Sequence, residues 1–166
     1  MTAAPDVAAP LVAFRSWRLS GGRLVSPFIP CRWEGREMRA SCWDANRTLM
    51  RGNGWLAEPH ESPHPRCQCG IYGYFEPGPR SWYGEAHWCE GVVTAWGRIE
   101  VHRDGFRAQH ARVEALATPE HRFPSAEAAV REAADALGVP LIANAGLQAF
   151  ADRLGGAGVA SGRRPG

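Results

Sequence analysis

The chain has 166 residues, 45% of them hydrophobic, and a formal net charge of +2. This length predicts one globular domain, which buries enough surface to fold without disulfides. All 19 basic residues are arginine, and the small net charge excludes a chain that is polycationic as a whole. No run approaches the roughly 18 apolar residues of a membrane span, and the first ten residues lack the features of a secretory signal. We therefore expect a cytoplasmic protein.

The first half of the chain predicts short strands separated by turns and loops. Alternation of apolar and polar side chains is typical of strands, and paired glycines are typical of hairpin turns. Stretches rich in Asn, Gly, Pro and His are typical of loops. In chain order the prediction is a disordered arm at 1–10, a strand around 12–17, a turn at Gly21–Gly22, a strand ending at Pro27, a strand within 37–43, a loop at 44–66 and regular structure again from 69 to 75.

The second half predicts a long hairpin followed by helices. Residues 90–116 alternate on both sides of Asp104–Gly105, which we expect to form the turn with positive φ angles, and Gly97 marks a bulge or a close approach of two backbones. Helical spacing of apolar residues follows, with Ser125 as the expected N-cap and Gly138 as the expected residue after the last turn.

These elements predict an α+β fold with all of its strands before its helices. We expect a bent antiparallel sheet or small β barrel with one or two C-terminal helices, the second over 144–154. The single globular domain would cover residues 11–154, and the glycine-rich stretch 155–166 would form a flexible tail.

The stretch HESPHPRCQCGIYG, residues 60–73, concentrates two histidines and two cysteines in its first ten positions. Five cysteines without an export signal favour reduced thiols or metal ligands over disulfides. Three interpretations fit the stretch. Cys67 and Cys69 can be metal ligands, they can be nucleophilic or redox thiols with a histidine as base, or they can be small buried residues at the start of a strand.

Four segments that occur in a fixed order resemble a family of small, uncharacterised actinobacterial proteins. The segments are FRSWRLSGGRLVSPF, CRWEGREMRASC, HESPHPRCQCGIYG and VVTAWGRIEVHRDGFRAQHARVEAL. The resemblance spans about residues 13–117, and its specific part is the Cys-x-Cys-Gly-Ile-Tyr element. It implies no activity. It does imply that four residues belong together, which are Cys42, His60, Cys67 and Cys69. Cys31 and Cys89 fall outside this set.

This set contains the thiolate and imidazole ligands that zinc binds in a tetrahedron. A structural zinc ion would fasten the loop at 44–66 to the sheet. The spacing is unusual, because one residue separates Cys67 from Cys69 where structural sites usually have two, and His64 can replace His60 as the fourth ligand. The spacing also differs from that of zinc deaminases, which need His-x-Glu followed by Pro-Cys-x-x-Cys.

Arginine and tryptophan predict a second functional feature, a binding surface. The chain has seven tryptophans, and eight arginines face three acidic residues between Phe14 and Trp55, a local net charge of +5. We expect Trp17 and Trp96 in the core. Aromatic rings beside arginines can stack on bases while the arginines hold phosphates. The predicted surface comprises Arg32, Trp33, Arg36, Arg39, Trp55 and Trp82.

The sequence therefore favours a non-enzymatic binding module. It would contain a structural zinc site and an arginine- and tryptophan-rich surface for a nucleic acid or a protein partner. The alternative is an enzyme that uses the Cys/His cluster for thiol or zinc chemistry on a small molecule, for which no oxyanion site or third orienting residue is recognisable. Neither the substrate nor the oligomeric state follows from the sequence.

Overall fold

A computed structural model describes five segments of the chain. They are residues 10–27, 31–42, 58–78, 88–118 and 124–155. The predicted arm, apart from Pro10, lies outside these residues, as do most of the predicted loop and all but the first residue of the predicted tail. Trp55 and Trp82 also lie outside the described residues, so their predicted role at a surface stays a prediction.

The described chain contains strands first and helices last. The strands are β1 (Leu11–Ser20), β2 (Arg23–Val25), β3 (Glu37–Arg39), β4 (Ile71–Tyr74), β5 (Trp88–Val101), β6 (Gly105–Thr118) and β7 (Leu141–Ala143). The helices are α1 (Pro124–Leu137) and α2 (Leu147–Arg153), and a 3-10 turn at Asn144–Gly146 precedes α2. The predicted α+β class and the two C-terminal helices are confirmed. The short strand β7 was not predicted.

The strands form a bent, mostly antiparallel sheet that is partly ring-like. β1 pairs with β5 along eight residue pairs and with β4 at Phe14 and Tyr74, while β6 pairs with both β4 and β5. These four strands therefore pair in a cycle. Two further strands extend the sheet, since β2 pairs with β1 and β3 pairs with β6. The last strand, β7, runs parallel to the end of β6.

The two helices cover opposite faces of this sheet. The larger core lies between the sheet and α1 and includes Trp17, Phe106 and Val130. A smaller core lies on the other face, where Leu147 and Ala151 of α2 pack against residues of β1, β5 and β6. The helical spacing of small apolar residues in α1 allows this helix to lie close against the strands. No helix in the described part of the chain has the length and apolar character to cross a membrane.

Glycines account for the turns, although not always for the predicted reason. Gly21 and Gly22 have φ angles of 55° and 68°, as a two-residue hairpin requires, and Gly97 has a φ of 81° where the register of β5 and β6 shifts. The positive φ predicted at Asp104–Gly105 is wrong, because neither residue has one. Gly105 is needed instead because a Cβ there would overlap the carbonyl oxygen of Gly73 on β4.

The ends of α1 follow the sequence in part. The helix begins at Pro124, so Ser125 lies in the first turn and the prediction that it is the N-cap is wrong. Proline is favoured at the first helical position because its missing N–H would have no partner there. At the other end Gly138 has a φ of 65°, and Val139 N–H donates to the carbonyl of Ala134, as expected for a glycine-terminated helix.

A buried carboxylate lies where β5, β6 and the start of β3 meet. The side chain of Glu114 is 7% exposed. It accepts hydrogen bonds from the hydroxyl of Thr94, from Nε of Arg112 at 2.8 Å and from Nη2 of Arg36 at 2.9 Å. Burial alone would raise the pKa of Glu114, but these hydrogen bonds together lower it.

Replacing Glu114 with glutamine should remove an acid-sensitive part of the stability. Because the folded pKa lies below the unfolded one, ionised Glu114 stabilises the fold above the ordinary pKa of about 4.3, and this contribution is lost as pH falls through the folded pKa. Urea unfolding near neutral pH should show the wild type more stable than E114Q by roughly 1–3 kcal/mol.

The same measurement in acid supplies the decisive comparison. The difference between wild type and E114Q should shrink as pH falls through the pKa of folded Glu114. Glu127→Gln is the matched control, because Glu127 forms an exposed pair with Arg131 at 3.5 Å and should change stability little at any pH. A difference between wild type and E114Q that stays constant with pH would contradict the assignment.

Candidate metal centre

Three separate parts of the chain bring four potential ligands together. Cys42 follows β3, His60 lies in the irregular segment 58–70, and Cys67 and Cys69 lie directly before β4. β3 and β4 both pair with β6, so the sheet places residues that are far apart in sequence beside each other. These four residues form a group that could hold a metal ion.

The distances between the ligand atoms fit a tetrahedral ion. All four atoms lie within 4.8 Å of one another. Sγ of Cys42 is 3.8 Å from Sγ of Cys67, and Sγ of Cys69 is 3.4 Å from Nε2 of His60. A zinc ion with Zn–S bonds near 2.3 Å and Zn–N bonds near 2.0–2.1 Å separates its ligands by about 3.8 Å and about 3.6 Å respectively. The two measured distances are close to these values.

The structure favours His60 over His64 as the imidazole ligand. Nδ1 of His60 lies 2.6 Å from the carbonyl oxygen of Glu58, which can only accept a hydrogen bond. Nδ1 therefore carries the proton, and Nε2 presents its lone pair toward Cys69, as metal-binding histidines require. His64 has another role, because its Nδ1 accepts the backbone N–H of Arg66 and its carbonyl accepts that of Cys67.

The cysteines of the group are buried, which matters for the charge of their thiols. Cys42, Cys67 and Cys69 are 8%, 3% and 2% exposed and form a small cluster of their own, separate from the two apolar cores. Burial raises the pKa of the Cys69 thiol, and the Ser62 hydroxyl opposes this effect. A bound cation would reverse the preference, because a coordinated thiol is deprotonated. Without a cation, burial therefore favours the neutral thiol of Cys69, and only a bound cation would favour its ligating thiolate form.

Arg107 contacts the Cys67–Cys69 turn from the sheet. Its Nη1 donates to the carbonyl oxygens of Cys67 and Cys69, and its Nη2 pairs with the carboxylate of Glu100. Gly70 lies over the stem of this side chain, since a Cβ at Gly70 would be 2.9 Å from the Cβ of Arg107. The sequence did not predict this role for Arg107, because no local pattern connects it with cysteines 38 and 40 positions away.

A second arginine holds the segment that carries His60. Nη2 of Arg98 pairs with the carboxylate of Glu61 at 3.1 Å, and its Nη1 donates to the carbonyl of Pro63 at 3.4 Å. The side chain of Arg98 is 41% exposed, so this ion pair contributes little free energy by itself. Arg98 lies on β5 and Arg107 on β6, so the long hairpin supports both sides of the Cys/His group.

The remaining two cysteines lie apart from the group, as predicted. Cys89 is 1% exposed within the larger core, and burial raises the pKa of its thiol. Cys31 is half-buried, and burial raises the pKa of its thiol while the charge of Arg15 lowers it. None of the five cysteines, all of which are described, takes part in a disulfide.

The arginines of the predicted binding surface do not form one uniform patch. Arg32 and Arg39 are exposed. Arg36 donates to the carboxylate of Glu114 and to the carbonyl of Val113, so its guanidinium is part of the sheet's own contacts. Arg36 is exposed as well, with 42% of its side chain accessible, but its guanidinium is already paired with Glu114.

Two tryptophans lie elsewhere than the sequence predicted. Trp33 is 3% exposed and packs edge-to-face on Trp17, with ring centroids 5.4 Å apart, so its predicted place on a binding surface is wrong. The reason is that the backbone N–H of Trp33 donates to the backbone carbonyl of Leu24 on β2, which holds this segment against the core. Trp96, predicted in the core, is half-buried and stacks on His110 at 5.6 Å. The prediction that Trp17 lies in the core is confirmed.

Comparison with known proteins does not assign the chain to a family. It matches no protein-family model, no curated protein and no solved structure. The resemblance to small actinobacterial proteins therefore stays a prediction that rests on its motifs. The geometry of the Cys/His group is what remains to indicate a function.

Proposed function

We propose that Cys42, His60, Cys67 and Cys69 bind one structural zinc ion that fastens the segment 58–70 to the sheet. Zinc is the metal that best suits three sulfur ligands and one nitrogen ligand in a tetrahedron. The ion would connect the end of β3, the irregular segment and the start of β4. The protein would then be a non-enzymatic, zinc-stabilised module in a compartment that keeps thiols reduced, such as the cytoplasm.

The convergence of four ligand atoms within 4.8 Å is the observation that carries this proposal. The orientation of His60 supports it independently, because the Glu58 carbonyl fixes the imidazole in the form that leaves Nε2 available. The group is also largely buried, and buried cysteines at the centre of a polar segment need a reason beyond packing. A metal ion supplies that reason, since it would link the end of β3, the irregular segment and the turn before β4.

Four protein ligands favour a structural role over a catalytic one. A catalytic zinc ion keeps one position open for water or substrate, whereas a structural ion is enclosed by protein ligands. One observation supports the enzymatic alternative: a cavity of about 380 Å³ lies beside Cys42 and His60 and is also lined by Arg39 and Glu61. Chemistry there would require one of the four ligands to leave the ion.

A partner-binding role would depend on the exposed arginines. A nucleic acid or an acidic protein would be bound through Arg32 and Arg39, since the guanidinium of the third exposed arginine of the predicted surface, Arg36, is paired with Glu114, and none of the three belongs to the Cys/His group. Replacing them would weaken such binding without loss of zinc. The burial of Trp33 removes one of the aromatic rings on which stacking of bases was predicted.

Elemental analysis of the native protein, combined with a matched pair of histidine variants, tests the zinc site. We expect about one zinc ion per chain, with thiols that react only after a chelator removes the metal. His60→Ala should weaken zinc binding by at least roughly tenfold. His64→Ala should leave it nearly unchanged, although the two ring centroids are only 5.1 Å apart. A native protein without metal and with freely reactive thiols would refute the proposal.

A further inference from the structure

Arg107 is a buried cation that contacts the metal-binding group without belonging to it. Its side chain is 7% exposed. One of its terminal nitrogens, Nη1, donates to the carbonyl oxygens of both Cys67 and Cys69, the latter at 3.2 Å. Because one nitrogen donates to both carbonyl oxygens, these oxygens must lie close to each other, and this requirement determines the curvature of the Cys-x-Cys turn.

The guanidinium is itself fixed from the other side. Nη2 pairs with the carboxylate of Glu100, whose side chain is 12% exposed, and Nε donates to Nε2 of His102 at 3.2 Å. Because Glu100 balances the charge of Arg107, the guanidinium does not act mainly by neutralising thiolates. Its contribution is positional, since the planar group is held at three of its nitrogens and cannot follow the turn if the turn moves.

Gly70 makes the close contact between the turn and Arg107 possible. Its φ is +132°, and a Cβ there would lie 2.9 Å from the Cβ of Arg107 and 3.2 Å from that of Pro63. Such distances are shorter than ordinary contacts between side-chain carbons, so only glycine fits above the arginine stem. The contact between the Cys-x-Cys turn and Arg107 of β6 therefore depends on the glycine at position 70.

The histidine ligand is held in a different way. The ring of His60 is oriented by the carbonyl of Glu58, two residues away, which moves with the same segment. The turn with Cys67 and Cys69 is tied to the sheet through Arg107 and continues directly into β4, which pairs with β6. One pair of ligands thus belongs to the rigid sheet, and His60 belongs to the irregular segment that the metal would fasten.

We propose that Arg107 is a positioning residue that keeps the Cys67–Cys69 turn in its metal-binding shape before the metal arrives. This pair of thiolates then captures the ion first, and His60 and Cys42 close around it. The proposal rests on the zinc site proposed above. It assigns to Arg107 the role that outer-shell residues have in metal sites, where their loss typically costs 10–100-fold in affinity.

The test is a zinc titration of Arg107 variants against a competing chelator. We expect R107M to weaken zinc binding by about 10–100-fold and R107K, which retains a donor and the charge, to lie between it and the wild type. The matched control is R103M, because Arg103 is an exposed arginine of the turn between β5 and β6 and pairs with Asp104 at 3.9 Å rather than with the cysteine turn. Cobalt absorption spectra of each variant, which report thiolate ligation, show whether the turn still presents both sulfurs.

Hydrogen exchange on the metal-free wild type tests the order of binding without any variant. After chelation we expect peptides from 67 to 74 to keep most of their protection, while peptides from 58 to 64 exchange faster. Simultaneous opening of both segments would overturn the proposal, as would a folded R107M with wild-type zinc affinity. A wild-type protein that binds no zinc would instead refute the zinc site itself, so the two failures are distinguishable.

Discussion

Replacing Cys67 with alanine should reduce the zinc content from about one ion per chain to nearly none. Cys67 supplies a sulfur 3.8 Å from that of Cys42 and belongs to the turn that Arg107 holds, so its replacement removes one of the four proposed ligands. At free zinc about 1,000-fold above its Kd, binding adds roughly 4 kcal/mol to the free energy of unfolding, and C67A would lose this contribution. Elemental analysis and urea unfolding measure the two effects.

The pattern of thiol reactivity adds a check on the same variant. Without metal, Cys42 and Cys69 should become reactive toward an alkylating reagent, whereas Cys89 should stay protected in the larger core. Cys31→Ala is the control, because Cys31 lies outside the group and its replacement should leave zinc and stability nearly unchanged. Retention of a full zinc complement by C67A would rule out the ligand set.

Replacing Gly105 with alanine should destabilise the fold by about 2–4 kcal/mol, because the new Cβ has no room. It would overlap the carbonyl oxygen of Gly73, on the strand that carries the Cys67–Cys69 turn into the sheet. Backbone atoms cannot move aside as a flexible side chain can, so β4 and β6 would have to separate. Urea unfolding with saturating zinc measures the loss.

The control for this variant is another glycine without close neighbours. A Cβ at Gly35 would have no heavy atom within 4 Å, so Gly35→Ala should change the free energy of unfolding by less than about 0.5 kcal/mol. Equal stability of the Gly105 and Gly35 variants would show that β4 and β6 do not approach as closely as described. Zinc affinity should fall only in the Gly105 variant, since the turn before β4 would shift.

Local sequence patterns predicted those elements whose signals are themselves local. The alternation in β1 and in the β5–β6 hairpin depends on residues two apart. The ends of α1 depend on Pro124 at its start and Gly138 directly after its last residue. The bulge at Gly97 was predictable because a glycine inside a strand often marks a break in the pairing. The three-residue strand β7 has too little pattern of its own and forms because β6 offers it an edge.

The sequence by itself determined the α+β class, the order of strands before helices, and the chemistry of the segment HESPHPRCQCGIYG, because these depend on composition and short-range spacing. The resemblance implied that Cys42 and His60 join this segment, but only the tertiary structure gave the geometry that brings them together, the Glu58 contact that favours His60 over His64, and the place of Arg107 beneath the turn. It also buried Trp33 against Trp17. Each of these outcomes depends on which strands pair through β6 and β1, and pairing between distant strands is decided by the packing of the whole sheet.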